Sequence, residues 1–80
     1  MTYREQLQTW VWEALDKLGG RGSVIDVAKR IWSDHETDLK AYGDHYYSWQ
    51  YDMRWAAQQL REKGKLGFRK VGRLNEWFIR

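Results

Sequence analysis

Residues 46–61 read YYSWQYDMRWAAQQLR, and this stretch decides the fold of the chain. At 100° per residue, four apolar side chains share one face with the spacing of a buried helix side: Trp49, Met53, Ala56 and Leu60. The opposite face has phenol, amide and guanidinium groups but no carboxylate: Tyr47, Gln50, Tyr51, Arg54, Gln58 and Arg61. Such groups hydrogen-bond base edges, stack on bases and hold phosphates. The stretch therefore predicts a nucleic-acid-binding helix, running from about Tyr46 to Lys63.

The residues after this helix predict a basic β-hairpin. Two strands, Lys65–Val71 and Glu76–Arg80, are joined through Gly72–Asn75. Apolar side chains alternate along both strands, as in a half-buried hairpin: Leu66, Phe68, Trp77 and Ile79. The net charge of the chain is +3, and residues 61–80 contain seven Lys and Arg against two Glu, which favours a polyanionic partner. We expect the turn region to grip phosphate or enter the minor groove through Arg69, Lys70 and Arg73.

Two helices are predicted before the polar-faced one. The first opens with the capping box Thr2-x-x-Glu5 and ends at Gly19-Gly20. The second opens at Ser23, with a very short strand expected near Val24. Its apolar face is predicted from helical spacing: Ile25, Ala28, Ile31 and Trp32. Residues 33–44 are polar and predict a loop that Leu39 and Tyr42 anchor to the core.

The resulting order is helix, short strand, helix, helix, strand, strand. Two helices joined by a short turn make a helix-turn-helix, and a following hairpin makes the wing. We therefore expect a single α+β winged helix-turn-helix domain over residues 1–80. A three-helix bundle with a disordered basic tail is the competing fold, and it leaves the strand alternation unexplained.

The run from Trp55 to Leu66, WAAQQLREKGKL, resembles the amino-terminal winged-helix domain of Mrr-type restriction proteins. That family has a Trp-Ala pair, a Leu four residues after the Ala, and a Gly-plus-Leu step into the wing. The approach from Gly43 to Tyr51 is also similar, and the likeness covers roughly residues 40–80. Such domains are the DNA-binding part of modification-dependent restriction proteins that carry a separate nuclease, so the resemblance implies DNA binding. No nuclease motif is present here.

Other function classes find little support in the sequence. The absence of Cys excludes disulfides and thiol chemistry. No apolar run approaches a membrane span and no signal peptide is recognisable, so the expected location is cytoplasmic and no membrane partner is expected. His35 and His45 lie among carboxylates, but their spacing matches no closed metal site. With no phosphate-binding loop and no catalytic constellation, we expect neither a cofactor, nor a metal, nor enzymatic activity.

Three readings of function remain. The leading one is non-catalytic binding of double-stranded DNA through the third helix, Tyr46 included, and through the wing. The alternative to this hypothesis is that the tyrosines pack over the acidic loop and that Arg54 pairs with Asp44 or Asp52. The second is a protein-interaction or homodimer surface on the first helix, formed by Tyr3, Trp10 and Trp12. The third is recognition of a modified or extruded base by an aromatic cluster: Tyr46, Tyr47, Trp49 and Tyr51.

Overall fold

The computed structural model describes residues 2–80 and has three helices followed by an antiparallel hairpin. The helices are α1 (Tyr3–Lys17), α2 (Val24–Ala41) and α3 (His45–Glu62). The strands are β1 (Arg21–Ser23), β2 (Leu66–Val71) and β3 (Leu74–Ile79), paired antiparallel in the order β1-β3-β2. This is an α+β winged helix, which confirms the predicted fold class.

The predicted capping residues start both of the first two helices. The Glu5 N–H donates to Thr2 Oγ1 at 3.2 Å, and the Asp26 N–H donates to Ser23 Oγ at 3.1 Å. Each bond satisfies a backbone donor that the first turn of a helix would otherwise leave free. The short strand is residues 21–23, immediately before Val24 instead of including it, and it pairs with β3.

The predicted loop over residues 33–44 is wrong, because α2 continues through this segment to Ala41. His35 interrupts the helix with φ −133° and ψ 22°, so α2 is kinked there. The imidazole of His35 stacks on Trp10 of α1 at a centroid distance of 4.1 Å, and Leu39 is fully buried. Only residues 42–44 therefore separate α2 from α3, and Leu39 anchors the segment as predicted.

The core lies where the three helices meet the inner face of the sheet. Its largest contributions come from α1 and α3, and Leu66 and Trp77 close it from the hairpin. The fully or nearly fully buried helical side chains are Leu7, Trp10, Val11, Ala14, Leu15, Val27, Ile31, Leu39, Trp49, Met53, Ala56, Ala57 and Leu60. Ile25, predicted to face inward, is 58% exposed because the buried face of α2 runs through Val27 and Ile31.

The wing is tighter than the sequence suggested. Val71 pairs directly with Leu74, so the turn is the two residues Gly72-Arg73 and β3 begins two residues earlier than predicted. Gly72 has φ +62° and Arg73 has a negative φ, the φ pattern of a type II′ hairpin turn. Such turns match the right-handed twist of the strands, and here Arg73 lies in the turn while Lys70 lies in β2, two residues before Gly72.

Candidate nucleic-acid interface

One face of α3 is exposed and carries no negative charge from Tyr47 to Arg61. All six side chains predicted for this stripe are exposed: Tyr47, Gln50, Tyr51, Arg54, Gln58 and Arg61. Tyr47 is 86% and Tyr51 80% exposed, although large aromatic side chains are usually withdrawn from water. The opposite face of the helix packs into the core through Trp49 and Met53, so the fold fixes this stripe outward.

The single acid between Tyr47 and Arg61 is Asp52, which lies beside the stripe and is held by neighbouring side chains. Tyr3 donates its hydroxyl proton to Asp52 Oδ2 at 2.9 Å, and Ser48 donates to the same oxygen at 3.0 Å. Burial and the neighbouring carboxylate raise the pKa of the Tyr3 phenol well above its usual value. This network joins α1 to α3, and Asp52 does not face Arg54 because residues two apart on a helix point in different directions.

Arg54 has no ion-pair partner among residues 2–80, so the expected alternative of a pair with Asp44 or Asp52 does not occur. It stands between two surface clefts. The α3/sheet cleft is about 420 Å³ and brings Arg54 and Gln58 next to Arg69 and Asn75 of the wing. The helix stripe and the hairpin therefore border one continuous surface.

The basic residues of the wing differ in their surroundings. Arg69 Nε donates to Glu76 Oε1 at 2.6 Å across the hairpin, because the two residues are register partners. Lys70 and Arg73 are exposed and have no carboxylate partner in the described part of the chain. Arg61 lies over the Phe68 ring, with its guanidinium carbon 4.9 Å from the centroid, so the α3 stripe is braced against β2.

The second cleft lies between α2 and α3 and has a volume of about 600 Å³. Its walls include Trp32 from α2 and Tyr46 and Tyr47 from α3. The predicted four-residue aromatic cluster is therefore only partly correct. Tyr46, Tyr47 and Trp49 line the cleft as predicted, although Trp49 is only 4% exposed and also belongs to the core, whereas Tyr51 lies outside the cleft. Sequence reasoning missed Trp32, since its place on the inward face of α2 gave no sign that it also borders a cleft.

Most of the apolar surface predicted on α1 is withdrawn from solvent. Trp10 is buried beneath His35 and Tyr42, and half-buried Tyr3 stacks on His45 at 3.9 Å while bonding Asp52. Only Trp12 remains at the surface, 37% exposed, in a cleft that also contains Leu60 and Ile79.

Residues 2–80 were compared with the requirements of a metal site and of a membrane-spanning helix. No group of three or more His, Cys, Asp or Glu side chains is arranged to hold a metal ion there. None of the described helices is both long and apolar enough to cross a bilayer.

The class defined by fold and surface is a small winged helix with an acid-free exposed stripe on its third helix and a basic hairpin. Comparisons with models of known families, with characterised proteins and with solved structures find no match to this chain. The resemblance of residues 55–66 to Mrr-type domains therefore stays a prediction.

Proposed function

We propose that this protein binds double-stranded DNA without catalysing a reaction on it. The observation that carries this proposal is the exposed stripe of α3, which lacks any carboxylate and combines two guanidinium groups with amides and phenols. Gln50 and Gln58 have the bidentate amide that pairs with adenine, and Arg54 has the fork that pairs with guanine. Lys70 and Arg73 supply phosphate contacts from the wing.

The arrangement of charge supports a duplex over a small anion. The basic side chains are spread along the helix, and others lie at the hairpin tip, instead of converging on one point. A phosphate backbone presents charges at regular intervals along an extended surface, so it engages such a stripe at many places. The affinity then depends steeply on salt, which provides the test.

Fluorescence anisotropy with a random duplex of about 20 base pairs, measured across a salt series, tests the proposal. We expect micromolar binding that weakens steeply as salt increases. Arg54→Ala should cost about 1–3 kcal/mol of binding free energy on a specific site, and less on random duplex. Lys65→Ala is the control, because it also removes one exposed positive charge but lies at the Trp12 cleft, away from the stripe. No binding at low salt refutes the proposal.

Exposed Trp12 favours protein interaction as a second candidate. Its ring borders a cleft of about 720 Å³ with apolar residues beneath and both charge signs at the rim, including Glu13 and Lys63. Tryptophan is enriched among the residues that dominate interface energies. Analytical ultracentrifugation should then show association that Trp12→Ala abolishes, and a concentration-independent monomer would count against self-association.

A further inference from the structure

We propose that the α2/α3 cleft binds a single unpaired nucleobase of DNA. This inference rests on the proposed DNA-binding function and names a ligand for a site beside the duplex-facing stripe. Six of the lining residues carry the argument: Lys29, Trp32, Tyr46, Tyr47, Gln50 and Arg54.

Four aromatic side chains line the cleft, and Tyr47 is the most exposed of them. The Trp32 and Tyr46 rings lie 6.0 Å apart, and the Tyr47 ring stands perpendicular to Tyr46 at 5.1 Å. A base within an intact duplex presents only its edges in the grooves, since its faces are covered by neighbouring bases. An unpaired base exposes both faces and can stack on aromatic side chains. The cleft is therefore suited to a base that has left the stack.

The polar groups of the cleft match the rest of a nucleotide. No lining residue is acidic, and neither Lys29 nor Arg54 has an ion-pair partner among residues 2–80. These cations can neutralise the phosphates on either side of an extruded nucleotide, while the Gln50 amide can donate to and accept from a base edge. An apolar peptide segment would leave both cations uncompensated, so charge complementarity favours the nucleotide.

The cleft is large enough for a nucleotide and is continuous with the exposed stripe of α3. Its volume of about 600 Å³ lies within the range of small-molecule sites, roughly 300–1,000 Å³. Gln50, Arg54 and Tyr47 belong both to the cleft and to the exposed stripe of α3. A duplex held on that stripe would thus bring an extruded nucleotide directly to the opening.

The experiment compares three duplexes of one sequence by fluorescence anisotropy. The first is fully matched, the second has one bulged adenine, and the third has an abasic bulge with the same extra backbone but no base. The ratio of affinities for the two bulges isolates the contribution of the base. The variant is Tyr47→Ala, and Tyr51→Ala is the matched control because both tyrosines are highly exposed on α3 but only Tyr47 lines the cleft.

We expect wild type and Tyr51→Ala to bind the adenine bulge about tenfold more tightly than the abasic bulge, as stacking on aromatic side chains typically contributes. Tyr47→Ala should lose most of that preference. Equal affinity of wild type for the two bulges, or an unchanged preference in Tyr47→Ala, overturns the inference while leaving duplex binding intact. A Tyr47-dependent preference without binding of the matched duplex supports the cleft and refutes the duplex proposal. Absence of binding to all three overturns both.

Discussion

Replacing Lys70 and Arg73 together by glutamine should flatten the salt dependence of duplex binding by a calculable amount. Both side chains are exposed at the type II′ turn and have no carboxylate partner among residues 2–80. If each neutralises one phosphate, each contributes about 0.9 to the slope of log affinity against log salt, so the pair contributes about 1.8. Between 50 and 200 mM salt, a fourfold change, wild type should lose about tenfold more affinity than the double variant.

Arg69→Gln is the informative comparison for this prediction. Arg69 has the same charge and lies one residue from Lys70, but Glu76 already compensates it at 2.6 Å. Its loss should therefore change the slope by less than about half a unit, well under the 0.9 of a free phosphate contact. Anisotropy titrations at five or six salt concentrations measure each slope. Equal slopes for wild type and the Lys70/Arg73 variant would refute the assignment of the wing tip to phosphate.

Three further predictions concern stability and are checked by urea unfolding. Gly67→Ala should destabilise the fold by about 1–3 kcal/mol, because an added Cβ would overlap the Phe78 ring across the hairpin; unchanged stability would mean that the ring moves freely. Leu39→Ala should cost about 2–5 kcal/mol, since Leu39 is fully buried; a loss below 1 kcal/mol would contradict that burial. Tyr3→Phe should cost about 0.5–1.5 kcal/mol at neutral pH by removing the bond to Asp52. The folded state raises the pKa of Tyr3, so the contribution of Tyr3 to the free energy of unfolding is fully present below about pH 10, the ordinary tyrosine pKa, and is lost as the pH rises above it. Tyr3→Phe should therefore weaken the loss of stability at alkaline pH.

The sequence predicted those parts of the fold whose signals are local. Thr2 and Ser23 start their helices because a short side-chain oxygen three residues before a backbone N–H is sufficient to cap it. The period of apolar residues in α3 and the alternation in the hairpin likewise need only neighbouring positions. These are the elements on which the winged-helix prediction depended.

The continuation of α2 escaped prediction because its stabilising contacts are distant in sequence. Residues 33–41 contain one buried apolar side chain, Leu39, so no helical period is visible. The segment is held by the ion pair of Lys17 with Asp34 and by stacking of His35 on Trp10, both of which connect to α1. Such tertiary contacts outweigh weak local preference, as they commonly do.

The candidate site was likewise predictable where the signal is local and unpredictable where it depends on contacts distant in sequence. Helical period alone predicted which α3 residues would be exposed. The pairing of Arg69 with Glu76 depends on strand register, and the position of Trp32 opposite Tyr46 depends on how α2 packs on α3. Neither can be obtained from spacing along the chain, so the sequence predicted neither the Arg69–Glu76 pair nor the contribution of Trp32 to the cleft.

The positive character of the proposed interface is a consequence of the fold as much as of composition. Two of the carboxylates near the stripe and the wing, Asp52 and Glu76, are engaged by other side chains. Asp52 accepts from the hydroxyl groups of Tyr3 and Ser48, and Glu76 pairs with Arg69. Glu62 is exposed at the end of α3, one residue beyond the stripe. Arg69 thus compensates Glu76, and the Arg69→Gln titration measures whether it also contributes to phosphate binding. Lys70 and Arg73 of the hairpin and Arg54 of α3 have no carboxylate partner among residues 2–80, so their charge is available to the duplex that we propose as the ligand.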